Sequence, residues 1–196
     1  MATRDGAPDA FGSPYRLLST AITPRPVGWI STTSTDGVDN LAPYSFCNVV
    51  AVDPPVVMFA PVGRDDLKNT PQNVADTEEF VLNTVTHDIV EEMNATSATL
   101  PADESEFDHV GIDRAESVVV NPPRVAAASV ALECELYDWI EVGDSVLILG
   151  EVVHAHVDEA VLTDDKIDID ALDTVGRLAG NYYAATQDRF ELERPP

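Results

Sequence analysis

Lys68, Asn69 and Thr70 stand just before Pro71, and Lys68 is one of only two lysines in the chain, the other being Lys166. A point positive charge, a hydroxyl and free backbone N–H groups at a helix start together make a cradle for a phosphate. The plain alternative is a surface lysine in a turn. Ser31 and Thr32, at the end of an upstream β-favouring run, would add hydroxyl donors. Between these two places lies Asn40 to Asn48, NLAPYSFCN, in which small residues alternate with polar ones along an extended backbone. A flavin ring needs main-chain N–H and C=O groups in its own plane, because its edge presents both donors and acceptors. Such a segment can serve one, with Ala42 and Ser45 leaving room; the plain alternative is a core strand with an edge proline. The pattern is suited to holding a flat, phosphorylated cofactor against backbone groups.

Other chemistries find less support. The glycines are scattered and nowhere form G-x-G-x-x-G or G-x-x-x-x-G-K, which disfavours Rossmann-type dinucleotide binding and P-loop chemistry. His154 and His156 put two imidazoles on one strand face, and His87 and His109 are the remaining histidines. No third ligand sits at a recognisable spacing, an exposed strand edge accounts for the pair, and no metal is assigned. Cys47 and Cys134 have neither C-x-x-C spacing nor a His/Cys series, so they are read as free thiols. Cys47 would be redox-active only if it lay against a flavin; a buried, inert thiol is the preferred reading.

These residues have to be positioned by strands. Val27 to Ser34 is a β-favouring run ending at the turn Thr35-Asp36-Gly37, and Leu41 to Val52 reads as a second extended segment. Asp53-Pro54-Pro55 forces extended geometry before a third strand, Val56 to Val62. Thr70 and Pro71 make an N-cap and first-turn pair for a short helix to about Thr77. Glu79 to Thr86 predicts a strand and His87 to Ala98 a helix. The polar, acidic connection Leu100 to Arg114 has the length of loops that border sites. Val125 to Ile140 and Ser145 to Val157 predict two long strands around Glu141 to Asp144, the first with clear period-two alternation. Six or more β-rich runs without βαβ alternation predict a mainly β fold, a closed or nearly closed antiparallel barrel with a few short helices.

A chain of 196 residues, 44% hydrophobic, is expected to build one domain, residues 15–196, after a mobile N-terminal arm of residues 1–14. The 35 acidic residues against 11 basic ones give a net charge of −24, spread along the whole length. Such a surface repels nucleic acid and anionic lipid and fits a halophilic host, where molar salt screens self-repulsion. The N-terminus lacks the apolar core of a secretory signal and no run of about 18 apolar residues occurs, so a soluble, cytoplasmic protein is expected.

The segments PRPVGWIST, NLAPYSFCN, DPPVV, KNT, EFVLN, LEC, LGEVV and GRLAGNYY, in this order and spacing from about Tyr15 to Pro195, closely resemble the flavin reductase-like family, which includes flavoredoxin-type proteins. The resemblance implies an FMN-binding split β-barrel, Greek-key-like, working as a homodimer with the flavin near the subunit interface. It implies ring contacts along Asn40 to Asn48, especially Ala42, Ser45, Phe46, Cys47 and Asn48. Ser31, Thr32, Lys68, Asn69 and Thr70 would surround the ribityl phosphate, and Arg177 and Tyr182 would close the pocket. Two departures from the family pattern are Cys47, where many relatives carry an aromatic, and Asn69, where they carry an acid. The expected activity is an oxidoreductase: hydride passes from NADH or NADPH to bound FMN, and electrons pass on to a small-molecule or protein acceptor. Arg25 and Arg177 are candidates to offset charge on the reduced ring. The alternatives are an FMN-binding electron carrier that does not react with a nicotinamide, and a barrel that binds no flavin or a different cofactor.

Overall fold

In the computed structural model, which describes residues 2–63 and 69–195, seven antiparallel strands form one sheet. They are β1 (Gly28–Thr33), β2 (Asp39–Tyr44), β3 (Cys47–Val52), β4 (Pro55–Phe59), β5 (Glu79–Thr84), β6 (Val130–Val142) and β7 (Ser145–Val157). Their order across the sheet is β2-β1-β5-β6-β7-β4-β3. Strands β2 and β3 therefore lie at opposite edges, although only Ser45 and Phe46 separate them in the chain. A two-residue link spans roughly 7 Å beyond its anchors. The two edges must approach one another, so the sheet curls into a barrel with a seam between β2 and β3.

Where the sequence specifies a turn, the strands end as expected. Gly37, at φ +83°, closes the β1–β2 connection, and Gly143, at φ +58°, closes the two-residue loop between β6 and β7. The extended segment expected over Leu41 to Val52 is in fact two strands, broken at Ser45-Phe46. Strand β6 starts at Val130, later than the expected Val125, because Ala128 N–H turns back to Val125 C=O (3.1 Å). Pro43 lies on edge strand β2, where its missing N–H breaks no ladder.

Among the described residues, four α-helices complete the fold: α1 (Pro14–Ala21), α2 (Asn69–Thr77), α3 (Val90–Ala95) and α4 (Glu106–Val110). Helix α1 begins where Ser13 Oγ accepts from Arg16 N–H (3.1 Å) with Pro14 in the first turn. The helix expected over His87 to Ala98 divides into a 3₁₀ turn, His87–Ile89, and α3. Helix α4 falls inside the polar connection; a five-residue helix that turns Glu106 and Phe107 inward is too short to show a period.

Strand β1 is buried on both faces. Ile30 points into the barrel with Phe59, Val74, Phe80, Cys134 and Ile148, while Trp29 points outward to Leu41, Met93, Phe107 and Val125. Two cores thus back onto one strand, the second covered by α3 and α4. No helix among the described residues is long and apolar enough to cross a membrane.

Candidate functional site

Strand alternation places Asn40 and Tyr44 on the same side of β2, two positions to either side of Ala42. The start of α2 packs near this strand, and the segment 96–100 with α4 lies beyond. Between them is a cavity of about 400 Å³, lined by Asn40, Ala42, Tyr44, Asn69, Thr70 and Glu106, with Pro43 and residues 96–100. That volume is within the range of small-molecule sites.

The polar groups of this wall are tied into a chain. Glu106, only 4% exposed, accepts through Oε2 from Asn40 Nδ2 (2.7 Å) and from Leu41 N–H (2.9 Å). The second bond satisfies a main-chain donor on the open edge of β2, which would otherwise be buried unpaired. Thr70 Oγ1 donates to Asn40 Oδ1 (2.5 Å), so both ends of the Asn40 amide are engaged. One strand deeper, Asn73 Nδ2 donates to Thr32 Oγ1 (3.0 Å).

Tyr44 differs from its neighbours. Its hydroxyl is buried and makes no hydrogen bond of good geometry among the described residues, although the Thr70 hydroxyl stands close enough to act on it. Burial pushes it up to about 12, with Thr70 pulling the other way and Glu106 adding to the rise. The group is therefore a neutral phenol at physiological pH. An unpaired buried hydroxyl costs stability, and a ligand edge with a complementary atom would remove that cost.

Of the residues picked out from sequence, Asn40, Ala42, Asn69 and Thr70 converge on this cavity. Thr32 stands behind it. Ser31 faces the opposite side of β1, where its hydroxyl donates to Pro123 C=O (2.5 Å). Lys68 lies outside the described residues. Ser45 and Phe46 form the corner between the edge strands, and Asn48 is exposed on β3, its Oδ1 accepting from Val49 N–H (2.9 Å). Cys47 turns its side chain into the barrel among Ile30, Phe59 and Phe80. Burial pushes that thiol up to about 12, the setting of an inert sulfur.

Arg177 belongs to a separate small sheet, in which Val175–Arg177 pairs with Arg25–Pro26 and with Tyr183–Ala185, and Tyr182 lies just before the last of these strands. Arg177 donates to the Tyr183 hydroxyl and to Gly180 C=O, and Tyr182 is 74% exposed. Buried Arg25 links this sheet to the barrel corner. It donates to Ser19 C=O (2.5 Å), Ile22 C=O (2.8 Å) and Leu178 C=O (3.0 Å), and its guanidinium lies 5.7 Å from the Phe46 ring centre.

Tyr44 and Glu106 were not singled out from sequence. Tyr44 was within reach, since counting by twos from Asn40 through Ala42 arrives at it. Glu106 carried no residue-level signal, although the connection containing it did.

The flavin reductase-like domain model matches residues 20–173. A protein of Aquifex aeolicus is 40% identical over 182 residues, covering 91% of this chain and 93% of its own. Nitrilotriacetate monooxygenase component B from Bacillus cereus superposes with a TM-score of 0.93 at 33% identity, covering 98% of this chain and 100% of the other. The 2-nitrobenzoate 2-nitroreductase NbaA of Pseudomonas fluorescens does so with a TM-score of 0.85 at 31% identity, covering 93% and 90%. Family match, identity and a mainly antiparallel barrel with a seam agree: the chain belongs to the flavin reductase-like family and has its split-barrel fold.

Proposed function

We propose that the protein is an FMN-dependent oxidoreductase of the flavin reductase type, taking hydride from NADH or NADPH and delivering electrons to a small-molecule or protein acceptor. The observation that carries this reading is the β2 wall, where buried Tyr44 has a hydroxyl without a well-formed hydrogen bond among the described residues, beside small Ala42 and a fixed Asn40 amide. This donor set fits the edge of a planar ring and a polyol tail. Glu106 and Thr70 hold the two ends of the Asn40 amide, and Asn69 and Thr70 bring the N-terminus of the nine-residue helix α2 to the same wall. A phosphate belongs at the helix end, where partial positive charge gathers. Lys68 is proposed to lend its charge to that phosphate.

When bound, FMN supplies the hydride acceptance and onward electron transfer. The chain's own residues then hold, orient and shield. Tyr44 donates one hydrogen bond without titrating, Asn40 is kept in one amide orientation by Glu106 and Thr70, and Ala42 leaves space. Arg25 and Arg177 are proposed to offset charge on the reduced ring, from the corner side.

The proposal includes a homodimer. Edge strand β3 exposes Val49, Val50 and Val52, and α1 exposes Tyr15, Leu18 and Ile22. Apolar side chains grouped on a sheet edge favour coverage by a second copy.

Purified protein in high salt is expected to show oxidised-flavin absorbance that bleaches anaerobically with NADH or NADPH. A yellow protein that neither donor bleaches would make it an electron carrier. A colourless one that takes up no added FMN would end the flavin reading.

A further inference from the structure

We propose that Glu133, His154 and His156 form a site for one divalent cation of the borderline class, zinc or a first-row neighbour, on the face shared by β6 and β7. The inference is independent of the flavin reading. The sequence displays the two imidazoles but not their third partner, because that partner comes from the neighbouring strand. His154 pairs in register with Glu133 across the β6–β7 hairpin, just after a register shift in β7. One ligand atom from each of the three residues lies within 4.8 Å of the other two.

The carboxylate is rigidly placed. Glu133 is fully buried and accepts from Val118 N–H (2.7 Å), Val119 N–H (2.6 Å) and Val120 N–H (3.0 Å). A carboxylate has about four lone-pair positions. Three are taken by these main-chain donors, and the fourth meets His156 Nε2, 2.5 Å from Oε1. Hydrogen bonds of this kind orient a metal-ligating carboxylate. The fourth lone pair and the imidazole nitrogen therefore face each other, and a cation would replace the proton between them as the His156 ring draws back.

His154 completes the set. Its ring stands edge-on to His156, with centres 4.8 Å apart and planes at 68°, and it makes no hydrogen bond among the described residues. Structural pairing of Glu133 with His156 gives it no role. Both imidazoles are half-buried, so water can reach the fourth position of a tetrahedral N₂O site. Binding would displace the proton between His156 and Glu133 to solvent. Imidazole donors select against magnesium and calcium, which prefer all-oxygen sites.

The test is calorimetric titration of the full-length protein with Zn²⁺, in high salt and excess Mg²⁺ so that surface carboxylates are already occupied. One Zn²⁺ per chain is expected, with affinity falling roughly 100-fold or more in His154→Ala and in His156→Gln, at the top of the range for disturbing a metal's surroundings. The His154 side chain makes no hydrogen bond among the described residues, so His154→Ala should keep the parent's thermal midpoint without metal. Absence of uptake, uptake abolished by Mg²⁺, or equal uptake in parent and both variants would overturn the site.

Discussion

Tyr44 concentrates the residue-scale argument, because its hydroxyl is a liability without a ligand and a donor with one. Tyr44→Phe is expected to leave the flavin-free protein as stable as the parent or up to about 1 kcal/mol more so, while FMN retention falls by about 0.5–1.5 kcal/mol. Chemical denaturation of the flavin-free form and fluorescence titration with FMN separate the two effects. The same substitution has an alkaline signature. The folded phenol lies at about 12 against an ordinary 10, so its contribution is fully present below pH 10 and is lost as pH rises through 12. Denaturation followed across that window should be less steep in Tyr44→Phe than in the parent. Lys68→Ala tests the proposed phosphate contact, with an expected loss of about 1.5–3 kcal/mol in FMN affinity. Unchanged affinity would remove Lys68 from the phosphate position. Residue type offered Asn40 to Asn48 and Lys68 to Thr70 as candidates beside the plain readings of a core strand and a surface turn, and Asn40, Ala42, Asn69 and Thr70 of that set line the cavity. It could not separate Ser31 from Thr32. Adjacent strand residues face opposite ways, and which face meets the cavity depends on where α2 and α4 pack.

At the scale of elements, Gly150 on β7 shows how tightly the barrel closes. A methyl group there would lie 2.3 Å from Phe80 Cζ and 3.0 Å from Cys134 Cβ. Phe80 is fully buried and packs edge-on against Phe59, with ring centres 5.2 Å apart, so the ring has little room to withdraw. Gly150→Ala is expected to destabilise the fold by about 1–3 kcal/mol, as overpacking does, read from the shift in urea midpoint at unchanged slope. Nothing in the local sequence reveals this constraint, because Phe80 comes from β5 and reaches Gly150 across β6. The β6–β7 hairpin itself was legible, since apolar alternation and a glycine turn are local signals. The corner at Ser45-Phe46 was not. Both flanking segments favour extended structure, and only the curvature of the whole sheet decides that the chain leaves one edge there and joins the other.

For the whole molecule, charge sets the conditions under which everything else can be observed. If each of the 11 basic residues paired with one of the 35 acids, 24 acids would still lack a basic partner of their own. Several cations do not pair one-to-one. Arg114 holds both Asp39 and Asp108, while buried Arg25 donates to three carbonyl groups. Compact folding therefore brings like charges together, and their repulsion reaches about 10 Å at 0.1 M salt but only about 3 Å at 1 M. The thermal midpoint is expected to rise steeply from 0.1 M towards roughly 1 M KCl, where screening becomes shorter than most surface spacings. NaCl should act identically, because screening depends on ionic strength and not on the ion. A further rise in sulfate alone would report exclusion of that anion from apolar surface, a separate effect. A midpoint that stays level across the whole KCl range would show that this surface carries its charge without cost. The same titration governs how the cofactor experiments are read: below the salt at which the barrel holds together, the β2 wall is dispersed along with it, and FMN release would report unfolding in parent and variants alike.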